Sequence, residues 1–240
     1  MQTNTQKPPA PRWTLQAFWQ GALRTLPLLP GIFVFGMAVG TVAARKGFSL
    51  FETLAMSATV YAGMAQMIVL ESWPEALTWP AIVAAAVVVG MVCMRFLLIG
   101  ASLRPWLGRF SPARIYPTLY LLTETNWLVS ARYRAEGGDD PAFFVGSGVI
   151  TWIAWVAAAA PGYWLGTSLG DPSRFGLDLV MPVFFVAMLV PLWRGPRKSI
   201  GWIVGGVAAL ATEHFIGGWW YVLVGALAGS VVGGFVNDRE

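Results

Sequence analysis

Eight apolar stretches, at roughly 24–44, 51–71, 79–103, 115–133, 141–169, 176–193, 199–212 and 217–236, alternate with short polar connections. Each is long enough, or nearly so, for a helix crossing a hydrocarbon core ~30 Å thick. The ~10-residue alternation of a membrane barrel is absent. A lipid-facing backbone must satisfy its own hydrogen bonds, so helices are the expected elements. The pattern predicts an all-α, polytopic transmembrane helical bundle of about seven to eight apolar segments, some of them broken or re-entrant. It divides into a polar tail at 1–20, a single transport domain at 21–236 and a short polar tail at 237–240. The stretch Ala81–Val92 has no polar face and reads as a plain wall helix.

Composition sharpens this picture. Of 240 residues 56% are hydrophobic and 12% charged, against about 25% charged in an ordinary soluble domain. That excludes a soluble fold, a disordered chain and a nucleic-acid binder acting through a basic surface. The net charge of +4 comes from short connections: Lys7, Arg12 and Arg24, then Arg104, Arg109 and Arg114, then Arg194, Arg197 and Lys198. The positive-inside bias puts all three groups in the cytoplasm. The N-terminus lacks the apolar core and cleavage site of a signal peptide. The expected location is a bacterial inner membrane, with lipid as a partner and no nucleic acid.

Orientation then meets a parity constraint. Three apolar segments separate the N-terminus from the 104–114 loop, and three more separate that loop from 194–198. One segment in each group must fail to cross. The first is the expected exception, because Pro27-Leu28-Leu29-Pro30-Gly31 interrupts its helical ladder. Such a break is tolerated at membrane depth when it is buried in protein or lines a cavity, so it is expected to face inward. Pro30–Met37 also echoes Pro182–Met188, a possible inverted repeat. Small residues spaced by four recur at Gly36/Gly40, Gly162/Gly166/Gly170, Gly201/Gly205 and Gly225/Gly229/Gly233. The last stripe suits a tight helix contact, inside the chain or with a partner.

Charged side chains inside membrane segments are costly and mark functional candidates. Arg95 lies in the third segment. Glu124 lies in the fourth, within Thr123-Glu124-Thr125-Asn126. An Arg95–Glu124 ion pair tying two helices is one reading; a polar site or proton relay centred on Glu124 is the other. The lone Cys93 reads as packing, and Glu213-His214 receive no role. HExxH, GxxxxGK[ST] and GxSxG patterns and a Cys/His cluster are all absent, so no enzyme, metal or cofactor is expected.

Four motifs in order resemble the AzlC-type branched-chain amino-acid exporters: Leu26–Gly40, Ser57–Gln66, Arg95–Leu103 and Leu121–Glu124. The resemblance covers roughly residues 20–236. Cys93 and Phe96 replace an Asn and a His beside the arginine, Met64 replaces a small residue, and Glu124-Thr125 replaces Asp-Glu. The resemblance implies the large subunit of a two-component exporter, with a small AzlD-type membrane subunit as partner and an amino acid as substrate. A zwitterion needs two opposite seats. The substrate carboxylate is expected at Pro30 and Gly31 with Arg95. The ammonium is expected at Glu124, also the proton-coupling candidate, or at the Thr123 and Asn126 oxygens. Phe33, Tyr61, Met64 and Met67 are expected around the apolar side chain, with Gly63 and Gln66 in the same motif. A passive channel and a non-transporting scaffold are the alternatives.

Overall fold

Pro27 lacks a backbone donor, yet the helix does not stop there. In the computed structural model, which describes residues 13–71, 73, 78–168, 195, 199–216 and 220–237, α1 (Leu15–Thr25) passes through a 3-10 turn (Leu26–Leu28) into α2 (Leu29–Arg45). The tighter turn absorbs the missing donor with Pro27 in its first residues. The remaining elements are α3 (Leu50–Val60), α4 (Gly63–Glu71), α5 (Trp79–Cys93), α6 (Arg95–Leu107), α7 (Pro112–Leu119), α8 (Glu124–Ala135), α9 (Ala142–Ser168), α10 (Ile200–Phe215) and α11 (Trp220–Asn237). No strand occurs among the described residues, so the chain is an all-α membrane protein. Three helical stretches there are long and apolar enough to cross a membrane: Leu15–Arg45, Trp79–Leu107 and Ala142–Ser168. The segment at 176–193, the 194–198 basic cluster and the echo at Pro182–Met188 lie outside the described residues, apart from Gly195. Contacts divide the chain into two compact units, Met1–Asp178 and Leu179–Glu240.

In the first unit the long α1–α2 helix runs parallel to α9. Thr14 donates through its backbone N–H (2.9 Å) and its hydroxyl (2.6 Å) to Asp140 Oδ2 at the start. Thr25 donates to Ser147 Oγ at 2.8 Å. Further along, Thr41 donates to the Gly162 carbonyl at 2.9 Å. Glycines set the approach of these helices. A Cβ on Gly36 would sit 2.8 Å from the Ala158 Cβ, and one on Gly162 would collide with the Met37 backbone. The small-residue spacings are therefore a packing device. In the second unit Gly225 and Gly229 lie against Gly205 and Gly201 of α10. That face of the last stripe is closed within the chain and offers no bare surface to a partner.

The segment that turns back is the second one. α3 enters after a capping box in which Ser49 and Glu52 satisfy each other's free donors. Its 11 residues rise ~16 Å, about half a hydrocarbon core. The chain then breaks at Tyr61-Ala62, and α4 returns to where α3 began. Lys46 Nζ donates to the Glu71 carbonyl at 2.8 Å, and the Phe48 and Trp73 rings meet at 4.9 Å. The fourth segment does the same from the opposite end. α7 descends, the chain breaks at 120–123, and α8 returns beside its own entrance. There Trp106 Nε1 donates to the Asp139 carbonyl at 3.0 Å, and Arg109 and Arg134 both grip the Asp139 carboxylate. A span followed by a hairpin thus occurs twice in opposite directions, over 15–71 and 79–135.

This corrects the expectation for the first segment and meets the first half of the parity constraint, between the N-terminus and the 104–114 loop, by other means. The N-terminal helix start and the 104–114 loop lie at one end of the unit because the second segment does not cross. The Pro27–Gly31 turn does not face inward. Pro30 and Gly31 are exposed, and Pro27 and Leu28 line an open outer groove of about 450 Å³ with Leu128 and Arg132. The 3-10 turn satisfies the backbone locally, so no interior cavity is needed.

Two tests follow from this architecture. On a Cys93→Ala background, Lys46→Cys and Trp73→Cys should react with a membrane-impermeant maleimide from the same side, and Arg114→Cys from the other. Labelling of positions 46 and 73 from opposite sides would overturn the first hairpin. Gly162→Val should lower stability by about 1–3 kcal/mol through overpacking, whereas Gly31→Val, whose Cβ meets nothing within 4 Å, should leave it nearly unchanged. Thermal unfolding in detergent reads both.

Candidate functional site

The hairpin tips meet halfway along the spans. Trp155 is near the middle of α9 and Arg95 near the middle of Trp79–Leu107. Tyr61 ends α3 in the left-handed region, with φ 31°. A bulky side chain there costs of order 1–3 kcal/mol and persists only where its surroundings hold it. The Tyr61 ring is 7% exposed and lies 6.2 Å from the Tyr120 ring of the opposite tip. Tyr120 donates its hydroxyl to the Ala58 carbonyl, and Trp152 Nε1 donates to the same oxygen at 3.1 Å. The break therefore leaves this carbonyl satisfied. Gly63 opens α4 because nothing larger fits: a Cβ would stand 2.6 Å from Trp155 Cη2 and 2.9 Å from Phe35 Cε1.

The second tip is built by Thr123 and Asn126. Thr123 has extended backbone and accepts from the Asn126 N–H at 3.2 Å, capping α8. Asn126 Nδ2 donates to the Leu121 carbonyl (3.0 Å) and to the Phe144 carbonyl (3.2 Å), and its Oδ1 accepts from Ser130 at 3.2 Å. Asn126 is wholly buried, and both ends of its amide are engaged. In this structure it satisfies the Leu121 carbonyl freed by the break and binds the tip to α9.

Between the tips, Arg95 Nη2 and Glu124 Oε1 stand 2.8 Å apart. Both side chains are about a third exposed, at 36% and 35%. The contact is close but off the hydrogen-bonding direction, and neither Glu124 Oε1 nor the buried Arg95 Nε completes a hydrogen bond of standard geometry. Arg95 Nη1 also approaches Met64 Sδ at 3.0 Å. Three more buried polar atoms are unpartnered: Ser57 Oγ, Tyr61 Oη and Gln66 Nε2. The Thr123 and Thr151 hydroxyls flank Tyr61 without closing such a bond. Gln66 Oε1 accepts from Trp155 Nε1 at 3.2 Å. Unpaired buried polar groups cost roughly 1–3 kcal/mol each, so this concentration is an expensive feature of the fold.

Of the residues expected from sequence, the structure gathers Tyr61, Gly63, Gln66, Arg95, Thr123 and Glu124 around one point. Pro30, Gly31 and Phe33 are not among them. Phe33 is 38% exposed, because the α2 face that reaches the site carries Phe35, whose ring lies 5.4 Å from Trp155. Met67 is buried and Met64 touches Arg95. Sequence reasoning missed Trp155, Thr151 and Trp152. The available signal was their depth: tryptophans anchor interfaces, and these two stand in mid-span.

At the end of the unit where α8 leaves, Asp139 is held by Arg109 and Arg134. Partial burial works to raise its carboxyl pKa, but the two guanidiniums prevail and hold it below the usual carboxylate range. A lowered folded-state pKa stabilises above the unfolded value and is lost as pH falls through the folded one. Thermal unfolding in detergent should therefore show an acid limb below about pH 4, shallower in Asp139→Asn. Coincident curves for the two proteins would remove Asp139 from the stability of this end.

The family described as "AzlC protein" matches residues 27–169, which contain both hairpins and the whole site. The chain is 24% identical over 232 residues to "Inner membrane protein YgaZ" of Escherichia coli (strain K12), covering 94% of this chain and 91% of that one. It is 25% identical over 213 residues to an "Uncharacterized membrane protein" of Helicobacter pylori (strain ATCC 700392 / 26695), covering 84% and 90%. No solved structure matches.

Proposed function

The chain belongs to the AzlC family of membrane proteins, and from that premise we propose that it is the large subunit of a secondary-active exporter for branched-chain and similar apolar amino acids. The observation that carries this reading is the Arg95–Glu124 pair at mid-depth, enclosed by two hairpin tips entering from opposite ends. A partly buried ion pair, with about a third of each side chain exposed, is a good exchange partner for a zwitterion. The substrate's own opposite charges replace each partner for the other, so no charge is left bare. Tyr61, Met64, Phe35 and Trp155 supply apolar walls, and the thioether adapts to several aliphatic shapes.

Glu124 is the proton-coupling group in this reading. Protonation releases Arg95 from the pair, and deprotonation restores a seat for ammonium. The small AzlD-type subunit belongs to the proposal through the family resemblance. The basic residues Arg104, Arg109, Arg114, Arg132 and Arg134 crowd the end from which α1 starts, which supports a cytoplasmic N-terminus in a bacterial inner membrane.

Proteoliposomes holding the chain with its small subunit test the reading. Labelled leucine should move saturably and respond to an imposed pH gradient. Glu124→Gln should fold normally and lose at least about tenfold in coupled flux, equivalent to ~1.4 kcal/mol. Flux that does not saturate, or wild-type coupled flux in Glu124→Gln, sinks the transporter role or the coupling role respectively.

A further inference from the structure

We infer that the first turn of α4 is the seat for a substrate carboxylate, with Gln66 as its chief side-chain donor. The inference rests on the amino-acid reading above and adds which end of the molecule lies where. It moves the carboxylate from Pro30–Gly31, which the fold turns outward, to the tip of the first hairpin.

α4 begins abruptly after the left-handed Tyr61, and its nine residues start with Gly63. A helix start presents unpaired N–H groups and the positive end of the helix dipole. The first return bond here is Gln66 N–H to the Ala62 carbonyl at 2.9 Å, which leaves the donors ahead of it to find other partners. A helix start alone is common. What marks this one is the set of donors brought to it. Gln66 is 2% exposed, and its side chain leans back toward the helix start, as helical side chains do. Trp155 fixes the amide there, since its Nε1 donates to Gln66 Oε1 at 3.2 Å while its ring edge covers Gly63. With the oxygen so engaged, Nε2 is the end left over, buried and unpartnered. The Tyr61 hydroxyl precedes the turn, buried beside the Thr123 and Thr151 hydroxyls without a hydrogen bond of standard geometry. Arg95 reaches the second residue of the turn through Met64 and holds its Nε without a partner.

Every one of these groups is a donor or can act as one. Among the atoms that complete no hydrogen bond of standard geometry, the carboxylate Glu124 Oε1 is the one that can only accept; it stands 2.8 Å from Arg95 Nη2, while Arg95 Nη1 faces Met64 of α4. The site is therefore polarised, with donors at the first hairpin's tip and a carboxylate at the second. A carboxylate takes two or more such donors at once, and charge-assisted bonds are the strong ones. An alkyl zwitterion laid between the tips points its carboxylate at α4 and its ammonium at Glu124.

Three ligands separate the ends: leucine, 4-methylpentanoate, which lacks the ammonium, and 3-methylbutylamine, which lacks the carboxylate. Gln66→Glu keeps an oxygen for Trp155 and replaces the donor by negative charge. Calorimetry on the complex in detergent should show leucine and 4-methylpentanoate weakened at least about tenfold, with 3-methylbutylamine unchanged. Tyr61→Phe, a gentler change, should weaken the same two ligands about threefold, and it decides the matter if Gln66→Glu does not yield monodisperse protein. Unaltered leucine binding in the variants, or equal losses for all three ligands, overturns the carboxylate seat while leaving the amino-acid reading intact. Wild-type protein that binds 4-methylpentanoate but not leucine keeps the seat and overturns that reading. Wild-type protein that binds none of the three overturns both.

Discussion

Two opposite charges 2.8 Å apart at the middle of the membrane spans set the terms for everything around them. Moving either ion alone from water into hydrocarbon is prohibitive, and a third of each side chain is uncovered in the first unit. The pair is tolerable only if protein backbone surrounds it and no lipid reaches it. The hairpins supply the protein that covers about two thirds of each side chain. Each brings a broken helix to mid-depth, and each break frees carbonyls that must be bonded within protein. Tyr120 and Trp152 serve the first tip, at Ala58, and Asn126 serves the second, at Leu121 and Phe144. The same residues that satisfy the breaks also hold the tips to each other and to α9.

Rigidity and adaptability are divided between different parts of the unit. The parallel contact of α1–α2 with α9 is glycine against backbone, reinforced by Thr25–Ser147 and Thr41–Gly162 hydrogen bonds. Such an interface tolerates no added methyl group and forms a fixed wall. The tips are short helices joined through two residues in the first hairpin, one of them the strained left-handed Tyr61, and four in the second. The two hairpins enter from opposite ends, so each end of the unit contributes one short-helix tip to the site.

The distribution of hydrogen-bonding capacity distinguishes site from scaffold. Asn126 and Thr123 look alike in sequence to Gln66 and Ser57, all being uncharged polar residues within apolar segments. The fold spends the first two on its own backbone. Ser57 and Gln66 are left with unmatched atoms, together with Tyr61, Arg95 and Glu124. A purely structural polar cluster minimises such atoms, since each costs more than a well-packed apolar replacement. Their concentration at one point sets this part of the fold apart from the scaffold.

Several features were settled by the chain alone. Apolar length, low charge and the absence of barrel alternation are properties of composition and spacing, so an all-α membrane protein was legible without coordinates. Arg95 and Glu124 also stood out, because a charge in an apolar segment is conspicuous wherever it packs. The glycine spacings announced close helix contacts for the same local reason. What the sequence could not convey was which interruption mattered. Proline is loud in a sequence, yet at Pro27 and Pro30 a 3-10 turn satisfies the backbone and the helix continues. The break at Tyr61-Ala62 carries no proline and becomes a reversal only because Gly63 packs under Trp155 and Phe35, 28 to 92 residues away in the chain. Likewise, the sequence named Asn126 and Gln66 as equals. Only the neighbours brought by folding, two carbonyls for one and a single indole for the other, decided which amide was fully engaged and which kept an unpartnered nitrogen.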